Sequence, residues 1–362
     1  MSLLASMQPI CSKRTTIDVT ECILFQITPR ELTLKATDLE ISLQSTAEIE
    51  SSSEEVSSFL VPGKRIFEIV KEMDGDISFE VSDASLRLQA GAVDLSLNIK
   101  DAQDFPPFPE RIENLMQLDA GFVLSLLNKV AFLIPSNNSN SALNGLLLEI
   151  NDNEMSMVTT DGHSLARITT NKYTLPEEKK WLLPKRAVME LKKIIEVSAT
   201  SHVFLGMCGN QLVFSGPHFN FFTKLIADQF PEYAPVLNKE GFIPARLSRS
   251  EFTRTLKRTG CLLAGQFIST TFTFDKENLG VQLNNKEVGS LKESLSLFDF
   301  DAGSVESRFY SPYLLNGLQV LSGESVNFHI KNSIKPIIFD DTHDEYQFTF
   351  LVMPVSAVQH SA

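Results

Sequence analysis

One stretch of this chain is written twice. Residues 23–38 read ILFQITPRELTLKATD and residues 146–161 read LLLEINDNEMSMVTTD, equal in length without a gap, each alternating through a short polar turn into Thr-Asp. A weaker third copy, TTFTFDKENLGVQLNN, occupies 270–285 at nearly the same interval. Alternation of period two marks strands that bury one face. Recurring at one interval through 362 residues, it divides the chain into three units of ordinary domain size. The folding question therefore reduces to one module built three times.

The flanks repeat as well. FLVPGKRIFEIVKEM (59–73) follows the first Thr-Asp and WLLPKRAVMELKKII (181–195) the second; RFYSPYLLNGLQVL (308–321) takes that place in the third unit. Each reads as a strand end, a Pro suited to a helix's first turn, and apolar residues at helical spacing. Ile66, Phe67, Ile69 and Val70 form one expected buried stripe, and Val188, Met189, Leu191 and Ile195 its counterpart. Alternating strands follow at 85–99 and 211–226, with FTFLV at 348–352 echoing FTKLI at 222–226. Helical patterns at 119–134 and 248–264 open the second and third units. The expected fold is α+β: three repeated domains, 1–114, 115–242 and 243–362, each an antiparallel sheet with two helices. A strand-like segment, NLMQL or IPARL, precedes the opening helix of units two and three, whereas unit one starts directly at its helix.

Composition removes several classes. No stretch reaches the roughly 18 apolar residues of a membrane helix, and the start lacks a signal peptide's basic region. Cys11, Cys22, Cys208 and Cys261 are scattered, without C-x-x-C spacing, which fits free thiols in a reducing cytoplasm. The six histidines never pair at metal-ligand spacing, and no phosphate-binding or nucleophile-elbow motif is present. Neither metal nor cofactor is expected. Thr160-Asp161-Gly162-His163-Ser164 holds the ingredients of a catalytic set, but triad members meet in space from separate segments. The expected role is a tight turn, Asp capping it and Gly supplying the special backbone angle. A hydrolase using His163 and Asp161 is therefore the weakest of the functional readings.

The chain carries a formal charge of −13, yet its basic residues cluster. Arg254, Lys257 and Arg258 share a helix face at i, i+3, i+4; Lys185, Arg186, Lys192 and Lys193 mark the helix from 184, and Lys64, Arg65 and Lys71 hold matching places in unit one. A solvated face is the plain reading of such charges. Their recurrence in repeated helices of an acidic chain points to a phosphate-facing surface that reads charge and not sequence.

The triple repeat, TTDGHSLAR (159–167), LLPKRAVMEL (182–191), QFPEYAPVL (229–237) and FLVMPV (350–355), in that order and at that spacing, resembles the bacterial DNA polymerase III β subunit, the sliding clamp, over essentially the whole chain. The resemblance implies a DNA-clamp fold and a head-to-tail homodimer whose six domains ring duplex DNA, helices inside and sheets outside. It implies a non-catalytic, cytoplasmic processivity factor that tethers the replicative polymerase's catalytic subunit, the clamp loader, other polymerases and repair proteins. Arg14 and Lys129 join the basic residues above as expected DNA-facing positions, with Asn137 in the polar loop IPSNNSNSA (134–142). A partner's short linear peptide is expected between domains two and three, against Leu143, Thr160, Gly162, His163, Ser164 and Leu165. Pro231, Val236, Leu351, Val352, Met353, Pro354 and Val355 complete that expected pocket. Ser164 stands where the family usually has Arg, and the tail continues as SAVQHSA. By family placement, Leu95 and Leu97 of one subunit face Cys261 and Leu262 of the other. The alternative reading is a diverged clamp-like peptide-binding protein that forms no functional ring.

Overall fold

The computed structural model describes residues 1–11, 15–51, 56–109, 111–263 and 268–355; Arg14 lies outside them. Along the chain one order of elements is read three times. The first pass runs α1 (Ser2–Cys11), β1 (Cys22–Ile27), β2 (Glu31–Thr37), β3 (Ile41–Glu48), β4 (Ser57–Pro62) and α2 (Gly63–Lys71). It closes with β5 (Ser78–Val81), β6 (Ser85–Ala90), β7 (Val93–Asn98) and the short β8 (Lys100–Asp101). The second pass is β9 (Glu113–Asp119), α3 (Ala120–Val130), β10 (Gly145–Ile150), β11 (Met155–Thr160), β12 (Ser164–Thr170) and β13 (Lys179–Pro184). It ends with α4 (Lys185–Ser198), β14 (His202–Cys208), β15 (Gln211–Gly216) and β16 (Phe219–Lys224). The third is β17 (Ile243–Ser248), α5 (Arg249–Gly260), β18 (Thr270–Asp275), β19 (Asn278–Asn285), β20 (Gly289–Ser296) and β21 (Val305–Phe309). It closes with α6 (Ser311–Leu318), β22 (Ser325–Ile330), β23 (Ile337–Thr342) and β24 (Gln347–Val352). Among the described residues no strand precedes α1, so β5 lacks the outer neighbour that β9 gives β14 and β17 gives β22.

Contacts gather the chain into two compact units, residues 1–125 with 186–225, and 126–185 with 226–362. The first unit holds a nine-stranded sheet, β8-β4-β1-β2-β3-β16-β15-β14-β9, and the three-stranded β5-β6-β7. The second holds an eight-stranded sheet, β13-β10-β11-β12-β24-β23-β22-β17, and the four-stranded β20-β19-β18-β21. The compact units do not coincide with the repeats because β16 pairs with β3 and β24 with β12, so the last strand of one repeat extends the preceding repeat's sheet.

In the first unit α1 packs on α2, and Gly63 makes that approach possible: a Cβ there would lie 2.2 Å from the Cys11 sulfur. Burial pushes the Cys11 thiol up to about 12. Ile66 and Val70 of α2 are buried as the spacing predicts. On α4 the buried residues include Val188, Leu191 and Ile195, but Met189 is 36% exposed. It lies about 100° around the helix from Val188, which carries it off the stripe in which the sequence placed it. In the second unit Gly317 admits the Phe350 ring, whose nearest carbon would be 2.0 Å from an added Cβ. That close approach seats α6 against β24.

Candidate functional site

The turn joining β11 to β12 is held by its own side chains. Asp161 Oδ1 accepts from the backbone N–H groups of His163 (2.8 Å) and Ser164 (2.6 Å), while Thr160 Oγ1 accepts from Gly162 N–H (3.1 Å) and donates to the Ser164 carbonyl (2.6 Å). Gly162 adopts φ 91°, the left-handed region that glycine enters without penalty. The Thr160 hydroxyl and Asp161 Oδ1 are thus absorbed in turn geometry, while the exposed His163 ring stacks on Tyr313 at 5.5 Å.

From this turn β12 runs antiparallel to β24, with Leu165 opposite Leu351. Those two leucines join Ala142, Leu147, Val158, Leu182, Phe230 and Ile338 in one buried cluster on the sheet. Ile226, Tyr233, Leu237, Phe242 and Met353 pack against it half-buried. After β24 the chain stays tied down: Met353 N–H donates to the His163 carbonyl (2.8 Å) and Val355 N–H to the Arg308 carbonyl (2.9 Å). Leu165, Leu351 and Met353 therefore lie on one apolar surface, with Leu143 8% exposed nearby in sequence and Pro231 and Val236 on an exposed connector.

That connector, residues 226–242, crosses the cluster and covers a cavity of about 360 Å³, lined by Leu147, Leu182, Ile226, Phe230 and Tyr233 with Glu149 and Lys180. The Tyr233 hydroxyl donates to Glu149, which also accepts from Ser156 Oγ (3.2 Å) and pairs with Lys180 (3.1 Å). Burial, then the Glu149 carboxylate, push the Tyr233 phenol up to about 12. Beyond the short 3-10 turn at Ala234–Leu237, Lys239 pairs with Asp340 (2.6 Å), which also accepts from His329 Nε2 (2.8 Å) and Thr349 Oγ1 (3.1 Å). Burial alone would raise the Asp340 carboxyl; the hydrogen bonds from His329 and Lys239 outweigh it and hold it below the ordinary range.

Sequence reasoning missed Leu147, Leu182, Phe230, Tyr233 and Tyr313. A signal existed: the chain has 5 tyrosines, and Tyr233, Tyr310 and Tyr313 all fall in segments that meet here. Ser164 departs from its expected place at a pocket rim. It is 2% exposed, and its hydroxyl is enclosed without a hydrogen-bond partner among the described residues.

The basic positions separate into exposed and inward-turned groups, and some exposed ones are paired, Lys193 with Glu190 (3.0 Å) and Lys64 with Glu68 (3.9 Å). Lys64, Arg65, Lys71, Lys193, Arg254 and Lys257 are exposed and Lys192 half-buried. Lys185 donates to Ser136 Oγ (3.0 Å) in the polar loop whose Asn137 is exposed. Arg258 is partly neutralised by Glu293. Lys129 is turned inward, pairing with Asp341 (3.6 Å), donating to the Val320 carbonyl (2.8 Å) and lying over the Tyr346 ring. Arg186 pairs with the buried carboxylate of Asp38 and donates to the Pro9 carbonyl (2.9 Å). These two cations hold the fold together, which corrects their placement on an outward basic face. No group of His, Cys, Asp and Glu among the described residues is placed to hold a metal, and no helix there is long and apolar enough to cross a membrane.

Repeated antiparallel modules joined strand to strand, with a buried apolar cluster under an exposed connector and basic residues exposed on the helices, define a multi-domain α+β scaffold. The chain belongs to the DNA polymerase III beta subunit family: the N-terminal, central and C-terminal domain models match residues 1–109, 117–232 and 236–356. It is 26% identical to the beta sliding clamp of Pseudomonas putida over 96% of this chain and 94% of that one. It is likewise 26% identical to the beta sliding clamp of Chlamydia muridarum, covering 98% and 96%. In fold it is similar to the DNA polymerase sliding clamps of Pseudomonas aeruginosa (24% identity, TM-score 0.89, 98% of both chains) and Bacillus subtilis (20%, 0.89, 98% and 96%).

Proposed function

We infer that this protein is a sliding clamp, a ring of two copies that encircles duplex DNA and tethers the replicative polymerase and other DNA-processing proteins. One observation carries the reading. Strand β16 completes the sheet edge at β3, and β24 completes the equivalent edge at β12. The third equivalent pair, β7 and β20, ends two sheets with no outer neighbour among the described residues. Pairing β7 of one copy with β20 of a second repeats the same junction, satisfies both open edges, and closes head to tail. Leu95 and Leu97, half-buried on β7 beside Ile69 of α2 and Met73 just after it, supply an apolar face for it. Exposed Cys261 and half-buried Leu262 follow α5 on the other side of the proposed junction.

The role is tethering and needs no chemistry from the chain: the ring holds DNA topologically, so mobile phosphate contacts suffice. Lys64, Arg65, Lys71, Lys192, Lys193, Arg254 and Lys257 are the proposed inner contacts, with Lys185 and Asn137 beside them. The apolar surface at Leu165, Leu351 and Met353 receives a partner's short peptide, in the cytoplasm where replication proceeds. The test is retention after loading by the clamp loader: protein that co-elutes with nicked circular DNA and is lost on linearisation is a topological ring. Equal retention on both, or Leu97→Glu/Leu262→Glu protein that still sediments as a dimer, would refute this assembly.

A further inference from the structure

We propose that Tyr233–Glu149 and Lys239–Asp340 are two pins that fix the 226–242 connector as the rigid outer wall of the peptide groove, making Tyr233 and Lys239 positioning residues for partner affinity. The proposal rests on the peptide-groove reading and assigns a role to the polar ends of two connector side chains, the Tyr233 hydroxyl and the Lys239 ammonium.

The wall needs pinning because it carries little regular structure. Its one helical element is the 3-10 turn Ala234–Leu237, in which no residue is buried and Val236 is 38% exposed. Phe230 anchors the connector in the cluster, and Ile226, Tyr233, Leu237 and Phe242 pack against it, but the turn itself buries nothing, and apolar contacts resist sliding less than directed polar ones. The two polar contacts bracket this turn. On one side the Tyr233 hydroxyl reaches Glu149 on β10, a carboxylate also held by Ser156 and Lys180. On the other, Lys239 reaches Asp340 on β23, and Asp340 is fixed in turn by His329 on β22 and Thr349 on β24. Both receiving carboxylates are largely buried, with side chains 12% and 14% exposed, so each pin ends in a rigid, well-held acceptor. The chain just beyond is tied as well, Lys331 donating to the Glu240 carbonyl at 2.9 Å.

Asp340 is also the carboxylate of a strand that pairs with β24, the strand carrying Leu351. The pin thus references the wall to the same sheet that carries the floor. A peptide anchor seated between Leu351 or Leu165 and Val236 then meets a gap of fixed width. If unpinning leaves the binding-competent wall populated about a tenth of the time, apparent affinity falls about tenfold without any change in the contacting side chains.

The test compares Lys239→Met, Lys239→Arg and Tyr233→Phe with the wild type, using fluorescence anisotropy with a labelled peptide carrying spaced Leu and Phe anchors, and hydrogen exchange without peptide. Lys239→Met and Tyr233→Phe are expected to weaken binding about tenfold each and to speed exchange of the Val236 and Phe242 amides. Lys239→Arg, which keeps the charge, should restore both, and the melting temperature and sedimentation should stay near wild type. Unchanged connector exchange, or unchanged affinity in Lys239→Met and Tyr233→Phe, overturns the pins. Absence of wild-type binding, with connector exchange accelerated as expected, overturns the peptide-groove reading and leaves the mechanical role standing.

Discussion

The turn at Thr37-Asp38-Leu39 and the turn at Thr160-Asp161-Gly162 share a hydrogen-bond plan and live in opposite surroundings. In the first, Asp38 Oδ1 accepts from Glu40 and Ile41 N–H (3.0 and 2.8 Å) and Thr37 Oγ1 from Leu39 N–H (3.1 Å), the same set that Asp161 and Thr160 accept. The second carboxylate oxygen separates them. Asp38 directs it to Arg186, in an ion pair whose acid is fully enclosed. Asp161 has no such cation among the described residues, and its turn opens beside the exposed His163. One copy has become a structural rivet, and the other stands at the edge of the proposed peptide site. A repeated motif keeps its backbone chemistry, while burial decides what its spare atoms do.

The comparison breaks first at Asp38. Removing one partner of a buried ion pair strands the other charge, so Asp38→Ala should cost about 3 kcal/mol or more. Asp161→Ala forfeits turn hydrogen bonds near solvent and should cost about 1 kcal/mol. Denaturant titration of both variants checks the order; equal losses would mean that the two carboxylates do the same job. Asp38→Asn sharpens the point, because it keeps the turn acceptor and removes only the charge opposite Arg186.

A change of intermediate size tests the functional side. Met353 packs on the cluster containing Leu165 and Leu351, whereas the first turn has Lys224 in the equivalent place, its N–H donating to the Glu40 carbonyl as Met353 N–H does to that of His163. Met353→Ala should weaken an apolar peptide by about 2 kcal/mol, the cost typical of a buried anchor's contact. The proposed dimer, built from other edges, should be untouched. Anisotropy and sedimentation read the two effects separately.

The backbone gives the next contrast. Both turns need a positive φ, which Gly162 supplies at 91° and Leu39 adopts at 74°. A left-handed residue with a side chain is strained by about 1–2 kcal/mol. Gly162→Ala should therefore destabilise by about 1 kcal/mol, and Leu39→Asn should be neutral or slightly stabilising, since Asn tolerates that region. Thermal melts of the two variants decide whether the rivet copy holds its strain through Asp38 and Arg186.

These contrasts show why the sequence was informative to a particular depth. Period-two alternation and the Thr-Asp repeat exposed the modules and the turn because they are local, and the turn's hydrogen bonds span only a few residues. The fate of Lys129 and Arg186 was hidden because their acids, Asp341 and Asp38, are far away in sequence. A cation on a helix looks solvated until its partner is known. Likewise Tyr233 and Lys239 read as connector residues, since their acceptors Glu149 and Asp340 come from distant strands. Local pattern carries the architecture, whereas an ion pair between distant segments exists only once the fold has brought them together.

The smallest expected effect concerns the residues that follow the two turns in equivalent places, Ile41 and Ser164. Both are 2% exposed, but Ile41 fills its site with hydrocarbon, whereas the Ser164 hydroxyl is enclosed without a partner among the described residues. A buried hydroxyl that has lost its water and gained no hydrogen bond is a net cost. Ser164→Ala deletes that oxygen, leaves the Asp161 to Ser164 backbone hydrogen bond in place, and opens only a small void. It should raise stability by up to about 1 kcal/mol with peptide affinity unchanged. A guanidinium at the same place has no room at this burial, so Ser164→Arg should instead destabilise the fold and disturb the β12–β24 edge. If Ser164→Ala weakens peptide binding while leaving the melting temperature alone, the hydroxyl contacts the ligand, and position 164 belongs to the rim of the groove rather than to its support.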